Sequence, residues 1–328
     1  MKGIIQMGLI MIVLIIGLPL AVGLSFGDGL KDYGFSSTDG SVETPSKVKV
    51  WIDSEKRVKS IDFEEYVCCV VANEMPAIFE EEALKAQSVA VRTYVVSKLQ
   101  KFYEVEPEEH PEASVCDTTH CQVYKSKKEI VTAKGKEWER KYWRKIKEAC
   151  EATSGELLYY NGELVTEPLF FSSSGGQTEN SEDVFSSAYP YLVSVASPYE
   201  DDATHKNEEK AYEIRNVEAI INGTFTDRYT GVITKENTKI LTRTAGGRVK
   251  EMQLGNCIYT GTEIRRALGL SSALFYVSFI DEDEKILFTT NGYGHGVGMS
   301  QYGANGMAKE GKNYKEILNH YYTGTDVY

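Results

Sequence analysis

From Asp62 to Pro76 the chain reads DFEEYVCCVVANEMP, and this stretch constrains the fold more than any other. Phe63, Tyr66, Val67, Val70, Val71 and Glu74 recur at i, i+3, i+4, i+7, i+8 and i+11, so a helix here carries one apolar stripe that ends in a carboxylate. Asp62 and Glu65 have the spacing of N-cap and N3 in a capping box, with Ile61 and Tyr66 placed for the hydrophobic staple. Pro76 disfavours helical backbone at Met75, which predicts a helix that stops after Glu74. Other elements must therefore cover the stripe while its polar end stays near solvent. Two readings of Glu74 follow: a merely solvated helix end, or a carboxyl kept protonated by apolar company, as protonation of a departing glycosidic oxygen requires.

The covering elements are legible downstream. A second helix carries Glu80, Glu81 and Glu82 in its first turn and Lys98 and Lys101 at its end, and Ala83, Ala86 and Ala90 permit close packing. Lys85 and Arg92, seven apart, share one side of it. A third amphipathic helix is expected from about 135 to 153, with Trp138, Tyr142, Ile146 and Cys150 at helical spacing. VKVWI, Val48 to Ile52, alternates like a strand with Val58 to Ile61 as its partner, and LLYY and ELV flank the turn signal Asn161-Gly162. Short strands with one brief helix, TEIRRALG, fill 237 to 290, and a last helical pattern spans Met299 to about Tyr322. The expected class is α+β, a helical part carrying Glu74 packed with a mostly antiparallel β part.

Gly3 to Gly23 contains no charged residue and is long enough to cross a bilayer, with Lys2 on its N-terminal side. A retained transmembrane anchor is the preferred reading over a cleaved signal peptide, and either puts the body of the protein outside the cytoplasm. The expected organisation is an anchor over 1–23, a Gly/Ser/Asp-rich linker over 24–47 and an extracytoplasmic domain over 48–328. A formal net charge of -12 with no basic stripe argues against a nucleic-acid partner. Six cysteines without a regular framework mean that the fold does not depend on disulfides.

Three further segments carry candidate chemistry. FFSSSGGQTENSEDVF, Phe170 to Phe185, groups hydroxyls and amides beside aromatic residues but lacks a G-x-S-x-G elbow, which suits a sugar polymer better than a serine nucleophile. In NGYGHGVGMSQYGA, glycines at 292, 294, 296 and 298 imply tight turning or close approach to a ligand, and His295 and Gln301 can bond a substrate. His110, Cys116, His120 and Cys121 lie within twelve residues, either as a metal site or with a Cys116–Cys121 disulfide; so short a loop is not expected to use His120 and Cys121 together.

EEYVCCVVANEMPAIFEEEALKAQSVAVRTY, FFSSSGGQTENSEDVF and GYGHGVGMSQYGANGMAKEGKNYKEIL together resemble the sporulation protein D family of endospore-forming bacteria, in the family's order and over nearly all of 48–328. The resemblance implies a lytic transglycosylase of peptidoglycan glycan strands, anchored in the mother-cell membrane and acting outside it during forespore engulfment. It implies Glu74 as the catalytic acid and places Arg92, Ser173, Gln177, His295 and Gln301 in substrate-binding motifs. Glycan freed of stem peptides is the implied substrate, hence a peptidoglycan amidase as partner. No cofactor is needed for the chemistry, while zinc on His110, Cys116 and Cys121 is implied as an element that shapes the cleft. The family has a Tyr-His pair where this chain has Phe170-Phe171, so no role of those side chains carries over. Three other functions stay in view: a hydrolase using Glu179, Glu182 or Asp183 as second carboxylate, a glycan-binding amidase enhancer without catalysis of its own, and a zinc hydrolase on the Cys/His loop, against which stand its sulfur-rich ligands and the lack of H-E-x-x-H.

Overall fold

The stripe of Phe63, Tyr66, Val67, Val70 and Val71 lies at the centre of the larger of two hydrophobic cores in the computed structural model, which describes residues 42–328 except 103, 104, 106 and 283. The predicted hairpin is β1 (Lys47–Ile52) with β2 (Arg57–Asp62), antiparallel. It leads directly into α1 (Phe63–Glu74), whose N-cap Asp62 accepts a hydrogen bond from the Glu65 backbone N–H. Only that half of the capping box forms; it contributes about 1 kcal/mol. Met75 is extended, as Pro76 demands, and α2 (Glu81–Phe102) starts after the break.

α2 is the axis of this core. Ala83, Ala86 and Ala90 are fully buried, and without bulk at those positions α2 is packed by α1 and by three later elements. The first is a helical stretch, α4, made of Lys136–Trp138, a π turn Glu139–Trp143 and Arg144–Ala152. The others are α8 (Gln301–Lys309) and α9 (Tyr314–Tyr321). The expected continuous helix from Met299 to Tyr322 is thus two helices, parted where Gly311 takes φ +83 and Asn313 caps the second. Helix α3 (Lys127–Lys134), capped by a full Ser126–Glu129 box, was not expected, although its S-x-x-E signal stands in the sequence.

The second core lies within the span 212–288 and interrupts the first in sequence. It contains two antiparallel three-stranded sheets. One orders β8 (Thr238–Arg243), β9 (Val249–Leu254) and β10 (Cys257–Thr260) with β9 in the middle. The other places β12 (Lys285–Thr290) between β7 (Glu208–Glu213) and β11 (Phe275–Ile280). Helices α6 (Ile214–Thr224) and α7 (Gly261–Ala267) contribute Val217, Ile221 and Ile264 to this core. The α+β class therefore holds, with a second unit inserted in the first.

Among the described residues, two pairs of strands are parallel. β3 (Val115–Cys116) adds to β1, and β13 (Met299–Ser300) pairs with β6 (Phe170–Phe171). The remaining elements are α5 (Ser181–Val184) and the sheet of β4 (Leu158–Tyr160), β5 (Glu163–Leu164) and β14 (Thr325–Val327). β4 and β5 turn through Asn161 and Gly162 at positive φ, as the two-residue signal predicts. The apolar run Gly3–Gly23 and most of the linker lie outside the described residues; among those described, no helix is long and apolar enough to cross a membrane.

Candidate active site

Where α1 stops, its last residue faces a cleft of about 1080 Å³. Glu74 is half-buried there, and burial pushes its carboxyl above the ordinary value of 4.5, partly offset by a hydrogen bond from the Val123 backbone N–H at 3.0 Å. Asn73 completes the strap by donating to the Val123 carbonyl at 3.2 Å. Tyr124, next in the chain, stacks on the fully buried Tyr66 of α1 with ring centroids 5.2 Å apart. The apolar stripe thus sets both the environment of the acid and the segment that orients it.

Other carboxylates line the cleft differently. Glu108 and Glu109 are exposed, and Glu167 is paired with Lys98 at 2.6 Å. The hydrolase candidates stand elsewhere: Glu179 is fully buried against Arg248 at 3.1 Å, Asp183 is held by Lys250 and Asn180, and neither they nor Glu182 line the cleft.

Of the residues expected to bind substrate, the structure brings His295 and Gln301 to the cleft. His295 donates from Nε2 to the Phe170 carbonyl and accepts the Val297 N–H at Nδ1, each at 3.1 Å, so both ring nitrogens are committed and the neutral tautomer follows from its partners. Burial, then the nearby Arg248 and Arg265, push its pKa down to about 4. His295 thus lines the cleft with both ring nitrogens already bonded to backbone. Gln301 is 5% exposed and donates to Gln87 at 3.5 Å.

Arg92, Ser173 and Gln177, also expected to bind substrate, do not line the cleft. Arg92 is fully buried, forks onto Glu64 with two bonds of 2.8 Å and caps the carbonyls of Cys150 and Glu156. Ser173 is buried and exchanges backbone bonds with Tyr293, while Gln177 donates to Ser194 and bridges to Ala196. Their loop is instead a weld between the two units. Arg248, 2% exposed, inserts from β8–β9 to reach the carbonyls of Ser174 and Gln177 and the Glu179 carboxylate.

The alternating glycines serve the same packing. All four lie at positive φ. A Cβ on Gly296 would stand 2.3 Å from the Arg248 guanidinium carbon, and one on Gly298 would stand 2.1 Å from the Leu169 carbonyl oxygen. The close approach expected from sequence is made to the protein's own chain. Residues the sequence reading missed include Tyr293, 46% exposed and packed on His205 with centroids 4.4 Å apart, and Phe185, 41% exposed beside His295. Tyr293 sits inside the glycine motif, which was the available signal; His205 has none.

His110, Cys116, His120 and Cys121 converge at the cleft's edge with their ligand atoms all within 4.8 Å. Cys116 and Cys121 are free thiols, so the disulfide alternative is not formed. Their N···S separations are 3.4, 3.6 and 3.8 Å; a tetrahedral zinc with ordinary bond lengths needs about 3.6 Å along such an edge. His110 donates from Nδ1 to the Ala113 carbonyl at 2.8 Å, which leaves Nε2 for the cluster. The geometry includes His120 beside Cys121, against the expectation that the loop is too short to use both.

Residues 52–160 match the family described as Stage II sporulation protein, and residues 187–298 match one described as Domain of unknown function (DUF8618). The chain is 40% identical over 285 residues to a stage II sporulation protein D of Bacillus subtilis (strain 168), covering 87% of this chain and 79% of that protein. A stage II sporulation protein D of Bacillus amyloliquefaciens is 38% identical over 290 residues, with the same shares. An amidase enhancer of Bacillus subtilis (strain 168) is 29% identical over 306 residues, 79% of this chain and 39% of that protein. By this likeness over most of its length, the chain belongs to the stage II sporulation protein D family and is a sporulation protein.

Proposed function

We propose that the protein is a lytic transglycosylase that cuts peptide-free peptidoglycan glycan strands between N-acetylmuramic acid and N-acetylglucosamine during forespore engulfment. The observation that carries this reading is one half-buried carboxyl with a raised pKa, Glu74, held by a backbone strap at the end of an aromatic-lined cleft. Glu74 gives its proton to the glycosidic oxygen, the bond from the muramic C1 breaks, and its electron pair leaves with that oxygen. The carboxylate, now a base, takes the proton of the muramic C6 hydroxyl, whose oxygen closes onto C1. Proton and electrons balance, no water enters, and a 1,6-anhydro end results. One carboxyl performs both steps, in keeping with the paired or exposed state of the other cleft carboxylates.

Aromatic side chains such as Phe185 and Tyr293 suit the apolar faces of sugar rings. His110, Cys116, His120 and Cys121 would hold zinc, and this donor set and spacing fit it. Bound there, zinc supplies rigidity to the segment that continues into Val123, and through it to the placement of Glu74. The N-terminal apolar run anchors the protein in the mother-cell membrane, with the cleft outside the cytoplasm, beside the amidase that prepares its substrate.

Mass spectrometry of digested glycan tests the assignment. Anhydro ends, lost in Glu74→Gln with the fold intact, are expected; reducing ends would mean hydrolysis. The amidase-enhancer relative favours a second reading, glycan binding without catalysis. That reading requires intact strands after incubation with the purified protein.

A further inference from the structure

Against a net charge of -12 for the whole chain, residues 125–147 hold ten Lys and Arg and three Glu. Three of these lysines lie over aromatic rings of α4, while Lys127, Arg140, Arg144 and Lys147 are paired with Glu139, Glu137, Glu148 and Glu151. Lys127 of α3 lies over the Trp143 ring of α4, and Lys134 of α3 over Trp138, each with its ammonium 4.9 Å from the ring centroid. Lys141 lies 5.0 Å over Tyr142, and Trp138 and Tyr142 are neighbours with centroids 6.2 Å apart. The π turn Glu139–Trp143 falls in the middle of this face, a helical irregularity that often accompanies function. Lys128, Lys136 and Lys141 are exposed and carry no ion pair among the described residues. Acidic neighbours do not neutralise them.

The face adjoins the acid's end of the cleft. Lys134 donates to the Ala72 carbonyl at 2.7 Å, two residues before Glu74. Lys145 donates to the carbonyls of Ile78 and Phe79, just beyond Pro76. Lys134 at the end of α3 and Lys145 of α4 thus bracket the turn between α1 and α2, and the segment continues from Val123, which lines the cleft.

We propose that this basic, aromatic face is a track for the glycan strand beyond the cleft, and that it selects strands bearing free lactyl carboxylates. The inference rests on the transglycosylase reading above. Removing a stem peptide by cleaving the amide at the lactyl group leaves one carboxylate on each muramic residue, so a peptide-free strand is a regular polyanion with apolar sugar faces. The lysines match the carboxylates, and the rings beneath Lys127, Lys134 and Lys141 hold their ammonium groups in place. Anionic lipid is the competing partner for basic and aromatic residues, but Trp138, Tyr142 and Trp143 are half-buried and covered by lysines, whereas entry into a bilayer needs protruding apolar groups.

The test measures binding of full-length protein in neutral detergent, with Glu74→Gln as the common background so that strands stay intact. Probes are peptide-free strands, the same strands with carboxylates methyl-esterified and, after removal of the detergent, vesicles of phosphatidylcholine with phosphatidylglycerol. Lys128→Glu/Lys136→Glu/Lys141→Glu is expected to lose on the order of tenfold in affinity for free-carboxylate strands at low salt, with a shallower salt dependence. On esterified strands its loss should be under about twofold. The triple Lys→Gln variant should fall between, and thermal melts control for folding. Equal losses on both strands, or none on either, would overturn the proposal; so would loss of vesicle binding alone, which would assign the face to membrane. Failure of the transglycosylase reading shows separately, as reducing ends or uncut strands with the Glu74 protein.

Discussion

Arg248→Met removes the cation that joins the inserted unit to the loop behind the cleft. In the folded protein the guanidinium is 2% exposed, lies 3.1 Å from Glu179, and satisfies the Ser174 and Gln177 carbonyls at 3.1 and 3.3 Å. Methionine fills much of the volume but leaves a fully buried carboxylate and two carbonyls without that partner. Breaking one side of a buried pair costs about 3–5 kcal/mol, mostly the uncompensated charge that remains. At about 2–4 °C per kcal/mol for a chain of this size, the melting temperature should fall by roughly 10 °C. Adding Glu179→Gln removes the stranded charge, so the double variant should recover more than half of the loss in a thermal or urea melt. A single variant within about 1 kcal/mol of the parent, or a double variant no better than the single, would refute the assignment of this pair as the weld.

The same variant should raise the pKa of His295 from about 4, because Arg248 is the second cause of its depression after burial; imidazole NMR reads this directly. The sign for stability follows, since the fold favours the neutral ring: its contribution is intact above 6.5 and is lost as pH falls through about 4. Gly298→Ala should destabilise by roughly 1–3 kcal/mol by chemical denaturation, because φ +78 disfavours a side chain and the new Cβ would stand 2.1 Å from a carbonyl oxygen. One zinc per chain is expected by atomic absorption. His120→Ala should weaken it, and chelation should lower the melting temperature. Retention of full zinc affinity in His120→Ala would restore the three-ligand site.

Much of this was legible from spacing. The i, i+3, i+4 stripe, Pro76 and the Asn161-Gly162 turn act within a few residues of themselves, so the helix end, with Glu74 as its last residue, and the hairpin could be read locally. Arg92 shows where such reading stops: its position on α2 was visible, but its partner Glu64 lies 28 residues earlier and holds the guanidinium in the buried interior. The serine-glycine loop misled for a similar reason, because Arg248, far along the chain, converts a polar run into a buried junction. His120 was discounted on loop length, yet the Cys116 sulfur approaches its ring at 3.8 Å and Cys121 at 3.6 Å.

Glu74 is proposed to serve as both acid and base. Peptide-free strands incubated with the protein and with Glu74→Gln, then analysed by mass spectrometry, test it most directly when each protein is also melted across pH. Burial raises this carboxyl, so its favourable contribution to stability is full below 4.5 and is lost as pH rises through the raised value. Glu74→Gln should therefore be at least as stable as the parent at neutral pH, while its cleavage rate falls by about a hundredfold or more. The parent should give 1,6-anhydro ends and the folded variant intact strands; reducing ends, or undiminished cleavage by Glu74→Gln, would refute the dual role.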